Sequence, residues 1–312
     1  MPLRQRELPR HHARAQAALK RPPRAPRLAV TTSVSTAPAL AWEADALEQA
    51  LQGILAGLRV EVVAATGSTS TDLRERQRRG DTRPVLRVAE TQHAGRGRAG
   101  RAWISAPGAS LTFSLALPLA PRDWSGLSLA VGAALAEAIE PAALRLQLKW
   151  PNDLWLRDAG PAWRKLGGIL VETVPLPGGG RGCVVGVGLN VKPAQAGGLD
   201  TGGMATGYAA VQEIEAALQA PTLLARVAPA LVRAVLCFER EGLPAFAAAY
   251  ARRDLLHGQR VRAAHADGSV GVVEGVAEGI DASGALRLRH AAGVALLSGG
   301  EVGVRPTATQ EP

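Results

Sequence analysis

Cysteine is nearly missing from this chain: Cys183 and Cys237 are the only two in 312 residues, far apart in apolar surroundings and without a Cys-x-x-Cys spacing. That excludes a disulfide framework, argues against a zinc site, and suits a reduced compartment in which both are small core residues. Long apolar runs are missing too. Arg, Asp or Gly interrupts the longest stretches within about a dozen residues, short of a bilayer span, so a soluble, cytoplasmic protein with no membrane contact is expected. There is no Gly-Lys-Ser/Thr phosphate loop, no nucleophile elbow and no Cys/His signature, which points away from P-loop chemistry and from a covalent enzyme intermediate. Lysine and asparagine are scarce. Only Lys20, Lys149, Lys165 and Lys192 stand among 36 basic residues, and Asn152 and Asn190 are the only asparagines, so these positions are ones where a substitute fails.

What is present begins with a net charge of +9. Residues 1–28 hold eight basic residues against Glu7 alone, which accounts for +7 and leaves +2 for the body. With its prolines and no apolar periodicity, this segment reads as a disordered basic extension over residues 1–42. It lacks the apolar stretch of a secretory signal; an organellar leader or a mis-assigned start codon would account for it as well.

The body is long enough for one large domain or two unequal ones. Leu47, Leu51, Ile54, Leu55 and Leu58 predict an amphipathic helix over about 43–58, Val60–Ala65 a strand, and Ser68-Thr69 with Asp72 a helix cap. Strands follow at 85–90 and 110–117, and Leu127, Val131, Leu135 and Ile139 mark a buried helix face. Further strands are predicted near 144–149, 168–174 and 184–191, with turns at Pro151-Asn152-Asp153 and Gly178–Gly180. Helices then dominate 207–250, with Pro229 a kink or a true start. From His257 onward, short Val/Leu runs between glycines predict a small all-β barrel.

Four constellations carry chemistry. In Gln92-His93-Ala94-Gly95-Arg96-Gly97-Arg98-Ala99-Gly100-Arg101-Ala102-Trp103, three glycines let backbone amides approach an anion while the arginines supply fixed charge. A solvated turn reads the same on spacing alone. Lys149-Trp150-Pro151-Asn152-Asp153 groups a cation, an amide and a carboxylate at a strand end, or forms a plain Asx turn. Lys165-Leu166-Gly167-Gly168 opens a strand with bare backbone beside a compact charge, or beside a surface lysine. Gly186-Val187-Gly188-Leu189-Asn190 puts glycines inside a buried strand, marking close approach by a ligand, with Asn190 able to read an adenine edge; a packed strand ending in a turn asparagine is the alternative.

In order and combination, GRGRAGRAW, KWPNDLW, KLGGILVE and GVGLNV, preceded by Ser68-Thr69-Ser70-Thr71, closely resemble the biotin protein ligases over about residues 60–306. The resemblance implies an α/β (α+β) fold, a class II synthetase-like mixed sheet flanked by helices. It also implies a catalytic domain over 43–253, a small SH3-like C-terminal domain over 254–306 and a tail over 307–312. It implies activation of biotin by ATP with Mg²⁺ to biotinyl-5′-AMP, then transfer to a lysine on the biotin carboxyl carrier domain of acetyl-CoA carboxylase or a related carboxylase. Carried over by position, Ser68, Thr69, Gln92, Gly95, Arg96, Arg98, Trp103, Lys165 and Gly168 contact biotin. Arg98, Arg101, Trp103, Lys149, Asn152, Lys165 and Asn190 contact ATP or the adenylate, and Arg98, Lys165 and Asp153 are the catalytic candidates, Asp153 also the metal-associated one. Ala99 and Ser70 depart from the family pattern, where arginine and asparagine are frequent. Residues 1–45 lack the paired helices of a DNA-binding domain, so a single-function ligase without specific DNA binding is expected. A lipoate–protein ligase and a nucleic-acid-binding regulator acting through the tail are the competing readings, and a homodimer is left open.

Overall fold

Val and Ala after Leu58 form strand β1 (Arg59–Thr66), Ser68 caps helix α2 (Thr69–Arg78) by accepting the Thr71 N–H at 3.4 Å, and β2 (Val85–Gln92) returns parallel to β1. A parallel pair needs such a crossover. The computed structural model describes residues 40–157, 163–193, 207–265, 272–298 and 302–306. The extension over 1–39 and the tail over 307–312 lie outside them, but Leu40 and Trp42 belong to the folded body, three residues earlier than expected. The backbone N–H of Leu40 and the buried indole N–H of Trp42 both donate to the buried Glu90 carboxylate, at 2.7 and 2.9 Å.

Strands β3 (Ser110–Leu119), β4 (Leu146–Lys149), β5 (Asp153–Arg157), β6 (Trp163–Pro175) and β7 (Arg181–Asn190) complete a seven-stranded mixed sheet in the order β1-β2-β3-β7-β6-β5-β4. All neighbours except β1 and β2 are antiparallel. Alternation decides the faces. Leu111, Phe113, Leu115 and Leu117 of β3 and Cys183, Val185, Val187 and Leu189 of β7 enter the main core. That core is built with α1 (Ala44–Gln52), α3 (Leu127–Ile139) and α4 (Ala220–Glu241). The opposite face is covered only in part, by α2, where Leu73 packs on Val85, Ala116 and Val184.

Four expectations change. The run Asp153-Leu-Trp-Leu-Arg157 is a strand, not only the exit of a turn. The first helix ends at Gln52, and the stretch after Gly207 holds only a 3₁₀ turn, Val211–Glu213, before α4 begins. Pro229 lies inside a continuous α4, where buried Val227, Ala228, Leu231 and Val232 on both sides outweigh the lost backbone bond. By length and composition α4 could cross a bilayer, which the broken apolar runs argued against; its apolar residues are instead buried, packed with α3 and β3.

After α5 (Ala247–Arg252) the chain runs beside β4, the Leu148 N–H donating to Arg253 O at 2.7 Å and the Leu255 N–H to Leu148 O at 3.0 Å. It then forms a small antiparallel sheet from β8 (Arg260–His265), β9 (Val273–Ile280), β10 (Leu286–His290), β11 (Gly293–Leu297) and β12 (Val302–Pro306), in the order β11-β10-β9-β8-β12. Val261, Ala277, Leu286 and Leu288 join the main core.

Burial pushes the Cys183 thiol up to about 12 and also raises that of Cys237, which is only half-buried. A thiol reagent at about pH 8 is therefore expected to modify Cys237 slowly and Cys183 only after unfolding. Rapid reaction of both in the native protein would contradict the placement of β7 in the core.

Candidate functional site

Under the first turn of α2 the sheet face is polar where a strand would otherwise be apolar. Ser114 of β3, fully buried, lies 2.7 Å from the Thr69 hydroxyl and 2.9 Å from that of Ser70, and Thr112 beside it donates to Ala89 O at 2.8 Å. The Gln92 side-chain oxygen accepts from the Thr69 N–H at 2.8 Å and from its hydroxyl at 3.1 Å, while the Gln92 N–H donates to Ser105 at 2.8 Å. Hydroxyls can donate and accept in turn, so this row can meet a ligand carrying both kinds of group. Ser68 takes part only through the cap on α2.

Next to the row, β7 presents a stripe of glycines, and protein groups fill it. A Cβ on Gly182 would meet Gln77, one on Gly186 would meet the Ser70 hydroxyl, and one on Gly188 would stand 2.6 Å from Trp103 Cζ2. The expected ligand approach to these glycines is thus replaced by the Trp103 indole and by α2. Trp103 reaches Gly188 because the segment Gly95–Trp103 closes as a small hairpin, with Trp103 N–H to Gly95 O at 2.9 Å and Gly97 N–H to Arg101 O at 2.7 Å. Gly95 has no room for a side chain beside Trp103 O and Gln92. At the tip Ala99 adopts φ 53°, the left-handed region, followed by Gly100 at φ 70°. Arg96 and Arg101 are exposed and Arg98 is half-buried, with Arg101 Nε donating to Arg98 O at 3.3 Å.

On the other side of Gly188 lies the charged part. Gly168 of β6 pairs with Gly188, and Asp153 of β5 pairs with Gly168. Lys165 and Gly168, three residues apart, would face opposite sides of a regular strand. An irregularity in the β5–β6 register lets Trp155 pair with Lys165 instead of Leu166 and turns Lys165 to the Gly168 side. Its Nζ lies 2.8 Å from Asp153 Oδ1, both side chains being mostly buried, and each atom is 3.4 Å from where a Gly168 Cβ would stand. Lys149 stands over the Trp155 ring at 4.8 Å.

The two asparagines are engaged with the backbone. Asn152 donates to Ile169 O at 2.8 Å while its own carbonyl accepts the Ile169 N–H at 2.9 Å, which pins the Lys149–Asp153 turn to β6. Both amide hydrogens of Asn190 are taken, by Ala209 O at 3.1 Å and Lys165 O at 3.4 Å. Asn190, expected to offer a donor and an acceptor to an adenine edge, here holds the segment after Gly207 against Lys165 through its amide hydrogens. Arg164 supports the same segment through Tyr208 O at 2.7 Å and through Glu213.

Sequence reading missed Ser114, Ser105 and Arg164. For Ser114 a signal existed, since Thr112 and Ser114 alternate with Leu111, Phe113 and Leu115 in an otherwise apolar strand. Among the described residues no three His, Cys, Asp or Glu side chains gather as a metal site. One carboxylate with phosphate oxygens from a ligand is, however, a donor set that Mg²⁺ takes, and Asp153 fits it.

The sequence profile described as "Biotin/lipoate A/B protein ligase family" matches residues 62–190, and that of the "Biotin protein ligase C terminal domain" matches 256–305. The chain is 35% identical over 269 residues to the biotin--[acetyl-CoA-carboxylase] ligase of Mycobacterium tuberculosis, covering 82% of this chain and 93% of that one. It is 34% identical over 221 residues to the bifunctional ligase/repressor BirA of Escherichia coli, covering 70% of this chain; it spans 65% of the length of that relative. Among solved structures, the biotin protein ligase from Aquifex aeolicus in complex with biotin and ATP has a TM-score of 0.65 at 23% identity, covering 81% of this chain and 100% of that one, a likeness of fold.

Proposed function

The chain belongs to the biotin protein ligases, and from that premise we propose that it joins biotin to a lysine of another protein in two steps. A carboxylate oxygen of biotin attacks the α-phosphorus of ATP, displacing pyrophosphate and forming biotinyl-5′-AMP. The lysine amine then attacks the acyl carbon, an amide forms as the bond to the phosphate oxygen breaks, and AMP and a proton leave. The observation that carries this reading is the lateral order on this sheet face: the hydroxyl row on β3 and the first turn of α2, Trp103 over Gly188 on β7, and the Lys165–Asp153 pair beside Gly168. A ligand laid across it meets hydroxyls at one end and fixed charge at the other.

In this reading Thr69, Ser70, Ser114 and Gln92 receive the ureido group of biotin, whose two N–H groups and one carbonyl need acceptors and a donor. Gly95 and Arg96 border that end, Gly168 leaves the carboxylate room, and Trp103 walls the adenylate. Lys165 neutralises charge where the biotin carboxylate meets the α-phosphate, and Lys149, Arg98 and Arg101 add charge around the phosphates; adenylation is above all positioning and charge neutralisation. Asp153 holds Lys165 in place and is the residue that would hold Mg²⁺, which when bound spreads the phosphate charge. Asn152 and Asn190 act by holding the Lys149–Asp153 turn and the segment after Gly207. The acceptor is the biotin carboxyl carrier domain of acetyl-CoA carboxylase or of a related carboxylase, met in the cytoplasm; the acceptor is supported by the names of the Mycobacterium tuberculosis and Paracoccus denitrificans relatives, both biotin--[acetyl-CoA-carboxylase] ligases.

The test is the full chain with ATP, Mg²⁺, a carrier domain, and either biotin or lipoate, followed by intact mass. A biotin adduct on one lysine, dependent on ATP, is the expected result. An adduct with lipoate alone would overturn the reading in favour of the lipoate ligases.

A further inference from the structure

The Lys149–Asp153 turn is held from three directions. Asn152 ties it to β6, the Ser128 hydroxyl of α3 donates to Pro151 O at 3.0 Å, and the buried Trp150 indole N–H donates at 3.0 Å to Gly284 O, in the small C-terminal sheet. The third contact reaches across 134 residues of chain.

Its far end is built to be stiff. Asp281 Oδ1 accepts the N–H groups of Ser283 and Ala285 at 2.9 Å each and the Ser283 hydroxyl at 2.7 Å, while the Gly284 N–H donates to Asp281 O at 3.0 Å. Gly284, at φ 82°, presses against the start of α3. A Cβ there would stand 3.0 Å from Leu243 Cδ2, 3.2 Å from Gly126 Cα and 3.2 Å from Leu129 Cδ1. Neither the left-handed backbone nor the space admits a side chain, and the approach brings the Gly284 carbonyl to Trp150.

We propose that the Asp281–Ala285 turn sets the position of the Lys149–Asp153 turn through the Trp150 indole, making Trp150 and Gly284 positioning residues for the nucleotide. The proposal rests on the reading that Lys149 and Asp153 serve the phosphates of ATP. Neither Trp150 nor Gly284 touches substrate in this account. Trp150 is buried behind the turn, and its neighbours Lys149 and Asp153 carry the side chains that reach the site. The ureido end of biotin, in this reading held by the hydroxyl row on α2 and β3, lies away from this link, so a change that falls mainly on ATP separates the effect from a general loss of fold.

Three full-length variants test it: Trp150→Phe, which removes the donor and keeps an aromatic ring; Gly284→Ala, which forces the carbonyl away; and Asp281→Ala, which loosens the turn from its solvent side. In a pyrophosphate-release assay KM for ATP is expected to rise by about fivefold or more, as loss of one buried hydrogen bond allows, while KM for biotin stays within about twofold. In ¹⁵N-indole spectra the Trp150 cross-peak, identified by its loss in Trp150→Phe, is expected to move in Gly284→Ala and Asp281→Ala. Equal changes for ATP and biotin, or unchanged kinetics with an unmoved cross-peak in whichever variants fold, would overturn the proposal. A wild-type chain that forms no biotinyl adenylate would instead overturn the functional reading beneath it, and the indole spectra would still decide whether the two turns are coupled.

Discussion

Lys165→Ala is expected to lower biotin-dependent pyrophosphate release by about 100- to 1,000-fold, the cost of removing one preorganised charge from a site of developing negative charge. Lys165 Nζ is fixed at 2.8 Å from Asp153 Oδ1, and both atoms lie against Gly168, 3.4 Å from where a Cβ would stand. The register irregularity in β5–β6 is what brings it there, so no neighbouring cation can take its place without remaking the strand. Lys165 and Asp153 remain partly open to solvent, at 22% and 15% side-chain exposure, and a pair of that kind contributes only about 1 kcal/mol to stability. Thermal unfolding should therefore shift by a few degrees at most. Lys165→Arg is expected to recover only part of the rate, because a planar fork on a longer stem cannot occupy the same point between Asp153 and Gly168. The measurement is pyrophosphate release with saturating ATP and biotin, beside a melting curve. An alanine variant that releases pyrophosphate at the wild-type rate removes Lys165 from the reaction.

Lys165 was legible in the sequence as a candidate, because a rare lysine beside Gly167-Gly168 stands out in an arginine-biased chain. That it faces Asp153 was not, because a strand pattern assigns sides by parity and the skipped partner of Leu166 has no local signature. The same limit applies to β5, whose five residues include two charges and directly follow a turn. The glycines of β7 were seen as a site of close approach, but sequence cannot say what approaches: Gln77, Ser70 and Trp103 lie 105, 116 and 85 residues before Gly182, Gly186 and Gly188, the glycines they meet. Asparagine scarcity singled out two positions but could not show their partners: Asn152 and Asn190 each bridge two backbone segments, which needs the tertiary structure to be known. The hydroxyl row could have been found from the alternation of β3 alone.

Arg253→Met is expected to destabilise the folded chain by about 3–5 kcal/mol, the usual cost of breaking a buried ion pair from one side. Arg253 is 1% exposed. Its guanidinium donates to Leu146 O at 2.8 Å and to Glu140 O and lies 3.8 Å from the Glu140 carboxylate, which is itself 5% exposed and accepts the Leu146 N–H at 2.7 Å. Burial holds the Arg253 guanidinium below its ordinary pKa, and the Glu140 charge works against that shift. Methionine fills much of the volume but leaves two carbonyls without donors and a buried carboxylate with a single backbone partner. Because Arg253 and Leu255 are hydrogen-bonded to Leu148 of β4, the damage falls on the junction between the large sheet and the small one. A melting temperature lower by about 10 °C follows from this free energy for a chain of this size, and the two sheets should still unfold in one transition, since their core is continuous. Adding Glu140→Gln removes the stranded charge and keeps an acceptor for Leu146. The double variant should thus be more stable than the sum of the single effects, by about 1–2 kcal/mol of coupling. Additive losses, or an Arg253→Met variant within about 1 kcal/mol of the parent by denaturant unfolding, would show that the junction is held by its apolar contacts and not by this pair.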